Sequence, residues 1–206
     1  MPRSHEKVPG ERRGREARIR IAQEAARLMS EHGISDYGQA TRRAAARLGI
    51  QDEAALPRRS EVEDALREFQ RLFRGDTQPR VLRERREAAF EAMRFFAAFE
   101  PRLVGPVLDG TADEHSTVTL HLFSDDPHAV QDALERHRIP FEPGASTLRD
   151  ARDRSTEHAA YAFVADGIAF ELVVLASDAL RHPPLGGDDR PVERASAATL
   201  AQLLRG

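Results

Sequence analysis

The side chains best suited to chemistry lie between residues 103 and 125. Residues 117–123 alternate polar and apolar side chains, which is the period of a half-buried strand. The alternation places Thr117, Thr119 and His121 on one face of this strand and aliphatic residues on the other. A row of hydroxyl and imidazole groups can hydrogen-bond a ligand, and an imidazole beside acidic groups can hold a metal ion.

Acidic residues flank this strand on both sides. Asp113 and Glu114 precede it, and Asp125 and Asp126 follow it. The histidines of the chain lack the paired spacing of a helical metal motif such as HExxH, and the sequence contains no GxxxxGK[ST] phosphate loop, GxGxxG loop or GxSxG elbow. The simpler interpretation of His121 is a residue of the sheet face that bonds a neighbour.

The layout of this region resembles the core motif of the DNA polymerase beta-type nucleotidyltransferases. In that family an apolar residue, a glycine and a small residue precede a loop, and two aspartates then alternate with apolar residues on the next strand. Here Val104-Gly105-Pro106 occupies the first part and Thr117-Val118-Thr119-Leu120 the second. The resemblance covers residues 88–178 and rests on this frame, because threonines replace both metal-binding aspartates and a proline follows the glycine.

The resemblance implies a nucleotide-binding site lined by Gly105, Thr117, Thr119, His121 and Glu171, with Glu171 at the place of the family's third carboxylate. Nucleotidyl transfer uses two divalent ions held by carboxylates, and magnesium prefers carboxylate and water oxygens. One carboxylate beside two neutral hydroxyls is a poor two-metal site. We therefore expect a degenerate member of the family, catalytically weak or inactive, that binds a nucleotide, an RNA or a protein partner. No catalytic residue or metal ligand is assigned.

Two alternatives stay open. The first is an active nucleotidyltransferase with unusual ligands, which would require Mg²⁺ or Mn²⁺ as its cofactor. The second is a nucleic-acid-binding protein, because residues 20–50 resemble the opening of a Tet-repressor-type helix-turn-helix domain, with Arg42, Arg43 and Arg47 near DNA phosphates. Where the recognition helix should follow, acidic residues and the helix-breaking Pro57 intervene, which favours a small helical layer instead.

The composition is that of a folded protein. Hydrophobic residues make up 40% of the 206 residues and charged residues 32%. The absence of cysteine excludes disulfides and thiolate chemistry. No apolar run approaches the roughly 20 residues of a membrane span, and no apolar signal-peptide core opens the chain. We therefore expect no membrane partner and a cytoplasmic location.

The distribution of charge and pattern predicts three parts: a disordered tail over residues 1–14, a helical region over 15–100 and a nucleotidyltransferase-like α/β region over 101–206. Residues 1–100 carry 21 Lys and Arg against 17 Asp and Glu, whereas residues 101–206 carry 10 against 17. The predicted fold class is α+β, with an N-terminal helical region followed by a small mixed sheet with flanking helices.

Helical periodicity and caps predict four helices in the first half of the chain. They cover residues 16–32, 36–48 after a Ser35 cap, 60–74 after a Ser60–Glu63 capping box, and 77–99 after a Thr77 cap. The arginines of the fourth helix, Arg85 and Arg86 among them, are expected on a solvated face.

The second half is predicted to contain a strand pair, a helix over residues 128–137, a loop over 142–157 and a hairpin. The first strand of the pair is expected to run from Val104 to Leu108. Asp166-Gly167 lies between two alternating stretches and predicts a type I′ turn. A final helix is expected over residues 197–204.

Overall fold

The computed structural model describes residues 9–32, 34, 36–73, 78–126, 128–150, 152, 154–186 and 190–205. The chain divides into two compact units, Met1–Gly75 and Asp76–Gly206. This boundary differs from the one predicted at residue 100, because the fourth helix shares its core with the sheet. Within the described part of the chain, no helix combines the length and apolar character that a membrane crossing requires.

The first unit is helical. It contains α1 (Pro9–His32), α2 (Tyr37–Leu48), a short 3-10 helix (Glu53–Ala55) and α3 (Arg59–Phe73). Helix α1 packs against both α2 and α3. The core is rich in alanine, which lets the helices approach closely, and includes Ile21, Ala22, Ala25, Ala26, Leu28, Met29, Ala40, Ala44, Val62 and Leu66.

The helix ends in this unit differ from the predicted ones. Helix α1 already begins at Pro9, so part of the predicted tail is helical, and residues 1–8 lie outside the described residues. Asp36 caps α2 through its side chain, and the predicted cap Ser35 is outside the described residues, as is Thr77. The predicted Ser60–Glu63 capping box is wrong: Glu61 accepts a 2.7 Å hydrogen bond from the backbone N–H of Arg58, so α3 begins one residue earlier.

The second unit is a five-stranded mixed sheet with helices. Its elements are α4 (Gln78–Phe95), β1 (Arg102–Val104), α5 (Pro106–Asp109), β2 (Val118–Phe123), α6 (Ala129–Arg136), β3 (Glu142–Arg149), β4 (Ser155–Ala165), β5 (Ile168–Leu175), a 3-10 helix (Ser177–Leu180) and α7 (Ala197–Leu203). The strand order is β1-β2-β5-β4-β3. Strands β2 and β5 are parallel and the other pairs antiparallel. The predicted α+β class is confirmed.

The two faces of the sheet are covered differently. On one face, alternate strand residues and side chains from α4, α6 and α7 form the main core, which includes Met93, Phe96, Leu103, Val118, Leu120, Leu122, Leu134, Phe170, Leu172 and Leu200. On the opposite face lies a smaller cluster of Phe123, Val173 and Leu175, packed against Leu148, Ala179 and Leu180. The polar residues of β2 belong to this second face.

Two predictions for the strands are wrong, and one is confirmed. The first predicted strand ends at Val104, because Pro106 begins the short helix α5. The predicted loop over residues 142–157 is largely strand: β3 pairs with β4 along its whole length. It is mostly exposed on both faces and therefore lacks the alternation that reveals a half-buried strand. Asp166 and Gly167 both have positive φ, 50° and 76°, as a type I′ turn requires.

Candidate functional site

The neighbouring strands β2 and β5 bring two predicted site residues together. Thr119 stands directly opposite Glu171 in the parallel register. The Thr119 Oγ1 hydroxyl donates a long hydrogen bond of 3.4 Å to Glu171 Oε2. Both side chains are half-buried, so the carboxylate lies partly shielded on the second face of the sheet but remains accessible.

Gly105 lies at the same edge of the site. Its neighbour Val104 on β1 stands opposite Thr119, and Gly105 follows at the start of α5. The glycine adopts φ 73° and ψ −156°, a backbone conformation that residues with a Cβ rarely adopt. Among the described residues other than its two chain neighbours, no heavy atom lies within 4 Å of the position that a Cβ would occupy, so the glycine serves the chain conformation rather than a close contact.

Thr117 lies just before β2 and shares its face with Thr119 by alternation. Its side chain is half-buried. Among the described residues, no hydrogen bond joins Thr117 to Glu171 or to the other predicted site residues. The structure therefore places Thr117 at the end of the row, whereas Thr119 and Glu171 are in direct contact.

The loop between Gly105 and β2 is held by arginines of α4. Arg85 Nε donates to the carbonyl oxygen of Asp113 at 2.6 Å, and Arg86 donates to the carbonyl oxygens of Val107 and Leu108 at 3.0 and 3.1 Å. Arg85 is only 7% exposed, so the predicted solvated face is wrong for these two side chains. Charged donors to buried carbonyls fix the loop that precedes the threonines.

His121 is interior rather than exposed to a ligand. It is 3% exposed, and its Nδ1 has no hydrogen-bond partner in the described part of the chain. Burial lowers its pKa to about 4, with smaller contributions from the nearby charges of Arg194 and His158. The imidazole is therefore neutral at pH 7. The sequence predicts that His121 bonds a neighbour on the sheet face, but within the described residues its Nδ1 makes no such bond.

Two arginines that the sequence analysis missed lie close to His121. Arg102 stands directly opposite His121 on β1. Arg194 donates from its guanidinium to the carbonyl oxygens of Ala179 and Leu180, each at 2.9 Å, and lies 5.5 Å from the ring centre of Phe123. Burial and the charge of Arg102 lower the pKa of Arg194. Period-two counting back from Val104 could have found Arg102, but no local pattern indicates Arg194.

The acids that flank β2 have structural roles. Asp113 Oδ1 accepts from the backbone N–H of His115 and the hydroxyl of Ser116, which shapes the loop. Asp125 accepts from the backbone N–H of Ser177 at 2.9 Å, and this bond lowers its pKa. In the ranges that the structure describes, no group of three His, Asp or Glu side chains is arranged to hold a metal ion.

The three arginines predicted to contact DNA differ in their surroundings within the helical unit. Arg42 and Arg43 are exposed on α2, while Arg47 lies 3.4 Å from Glu24. Helix α3 follows at the place of a recognition helix. Its exposed side chains form ion pairs within the helix, among them Arg67 with Asp64 at 2.8 Å and Arg71 with Glu68 at 2.6 Å.

Comparison of this chain with protein-family models, with curated proteins and with solved structures finds no match.

Proposed function

We propose that the second unit has the architecture of the DNA polymerase beta-type nucleotidyltransferases and binds a nucleotide without catalysing metal-dependent nucleotidyl transfer. The observation that carries this proposal is the contact between Thr119 and Glu171 on adjacent parallel strands. In the resembling family this is where carboxylates of two strands meet. Here the Glu171 carboxylate meets the Thr119 hydroxyl instead. This pair leaves a polar site that can bind a ligand, but it supplies one acidic group where the family has more.

The order of the elements supports the proposal. A helix (α4) leads into β1, Gly105 begins the helix after β1, the threonines occupy β2, and Glu171 lies on the strand parallel to β2. The resemblance implies this arrangement from the sequence frame alone. The parallel pairing of β2 with β5, which sets Glu171 beside Thr119, supports the same architecture.

The charges around the site support binding of an anion rather than of metal ions. The hydroxyl of Thr119 already donates to Glu171. One position further along the same face, the positive charge of Arg102 lies close enough to Arg194 to help lower the pKa of Arg194. Both guanidinium groups already donate to backbone carbonyl oxygens. Their positive charge still repels a divalent cation and attracts a phosphate. A nucleotide offers phosphates to the arginines and hydroxyl groups to Glu171.

Calorimetric titration with nucleoside triphosphates, with and without Mg²⁺ or Mn²⁺, tests the proposed function. We expect binding that does not depend on the metal and that Glu171→Gln weakens about tenfold, the effect of losing a hydrogen bond to a charged group. Glu157→Gln is the matched control, because Glu157 is an exposed glutamate on β4.

Two other outcomes contradict the proposal in different ways. Binding and turnover that require the metal, and that Glu171→Gln abolishes, would establish the active transferase with unusual ligands. No binding of any nucleotide under either condition would exclude both forms of the site and direct attention to the arginines of α2.

A further inference from the structure

A concave pocket of about 580 Å³ lies beyond the candidate site, where the ends of β3, β4 and β5 meet residues 176–185 and Pro191. Four arginines and two histidines line it together with two aspartates: Arg149, Arg152, Arg154, Arg181, His158, His182, Asp150 and Asp178. Its volume falls in the range of small-molecule sites, roughly 300–1,000 Å³. Glu171 and Leu175 are four residues apart on β5, or about 13 Å along the strand, so this pocket is separate from the Thr119–Glu171 contact.

One of the two aspartates is committed to holding the chain. Asp150 Oδ1 accepts from the backbone N–H groups of Arg152 and Arg154 at 2.8 and 3.0 Å. Its Oδ2 accepts from the Arg154 guanidinium at 2.8 and 2.6 Å. These bonds lower the pKa of Asp150 to about 2. Asp150 and Arg154 thus balance each other, and the rest of the described lining carries more positive than negative charge.

Hydrogen bonds fix the backbone segments that carry the basic residues of the pocket. The Asp150 bonds set the turn that presents Arg152. The carbonyl oxygen of Arg149 accepts from the backbone N–H of Leu185 at 2.6 Å. The Arg149 guanidinium donates to the carbonyl oxygen of Gly186 at 3.3 Å. These two bonds tie β3 to the opposite wall of the pocket. Arg181 and His182 directly follow the 3-10 helix Ser177–Leu180. Their backbone N–H groups both donate to the carbonyl oxygen of Asp178.

We propose that this pocket binds a compact anion that carries more than one phosphate group, such as the polyphosphate chain of a nucleotide or a free polyphosphate. Guanidinium groups on several walls of one concavity match the oxygens of linked phosphates. Exposed Arg152 and Arg181 supply charge at the rim, and His158 and His182 add ring nitrogens. The concave shape favours a small ligand over a nucleic-acid duplex. This site stands independently of the proposed function.

Titration calorimetry of the full chain with inorganic tripolyphosphate tests the pocket. We expect binding that the double change Arg152→Ala and Arg181→Ala weakens at least about tenfold, because two charged donors are lost. Both side chains are exposed, so the fold should persist, and an unchanged circular dichroism spectrum checks it. Arg136→Ala, an exposed arginine on α6, is the matched control.

The outcomes separate this proposal from the proposed function. Glu171→Gln should leave tripolyphosphate binding unchanged, even though it weakens nucleotide binding. A nucleoside triphosphate that binds more tightly than tripolyphosphate, with the same loss in the double variant, would identify a nucleotide as the ligand; equal affinities would identify the phosphate chain alone. Absence of tripolyphosphate binding, or an equal loss in Arg136→Ala, would overturn the pocket assignment.

Discussion

His121 is the residue whose surroundings most strongly constrain its chemistry. It is almost fully buried on β2, with Arg102 opposite it on β1 and with Arg194 and His158 close enough to disfavour its protonation. A proton on this imidazole would join two guanidinium groups in a site of low polarity. The residue therefore has a structural role as a neutral ring, although its type and strand position resemble those of a ligand-binding group.

We expect His121 to make the protein sensitive to acid. Its pKa is about 4 in the folded protein, against an ordinary value of 6.5, so protons bind the unfolded chain more tightly. The stabilising contribution is complete above pH about 6.5 and is lost as the pH falls towards 4. Between pH 7 and 4.5 this loss is about 2 kcal/mol of unfolding free energy.

Denaturant unfolding of His121→Leu at the two pH values measures this contribution. The leucine has similar volume and no proton to gain, so the variant should lose less unfolding free energy on acidification than the wild type. His128→Leu, at an exposed position, should keep the wild-type pH dependence. The same pH dependence in His121→Leu would show that other groups, such as His158, carry the effect.

Among the elements, the hairpin of β3 and β4 depends on the Asp150 carboxylate. This one group accepts from two backbone N–H groups and from the Arg154 guanidinium in the turn that joins the strands. Strand β3 lies at the edge of the sheet and buries little apolar surface. Its order therefore depends on the turn and on backbone pairing more than on core packing.

Asp150→Ala should loosen this hairpin selectively. We expect faster amide hydrogen exchange in residues 142–149, while the central strand β5 keeps its protection, because the change leaves the main core intact. Asp150→Asn should be intermediate, since its amide oxygen can still accept from the backbone but no longer pairs with the Arg154 charge. Equal exchange in all three proteins would show that strand pairing alone orders β3.

The sequence predicts those elements that bury one face and end in distinctive turn residues. The Asp166-Gly167 hairpin has the turn signal and was predicted correctly. Strand β2 was predicted from its polar and apolar alternation, but five of its six residues are buried, so it is buried on both faces rather than half-buried. Strand β3 was missed because an edge strand exposed on both faces has no alternation. In the site, the frame predicts the edge shared by Gly105, Thr119 and Glu171, but Arg194 comes from a distant irregular segment, and only folding brings it to His121.

At the scale of the whole molecule, α4 belongs with the sheet. Its residues Ala89 and Met93 are buried in the main core of the second unit. Its arginines hold the loop that leads into β2. A helical pattern alone assigned this helix to the N-terminal region, because periodicity reveals an apolar face but not the partner that covers it.

The fragment 76–206 should therefore fold by itself, whereas the fragment 101–206 should not. The longer fragment contains every residue of the main core cluster. The shorter one lacks Ala89, Met93 and Phe96, and burial of large side chains such as Met93 and Phe96 contributes about 1.5–3 kcal/mol each. Arg85 and Arg86 are also lost, so the carbonyl oxygens of the loop before β2 lose their donors. Thermal unfolding followed by circular dichroism checks both fragments: a cooperative transition is expected only for 76–206.

Cooperative unfolding of 101–206 would instead place the boundary of the folding unit at residue 100, as the sequence pattern predicts.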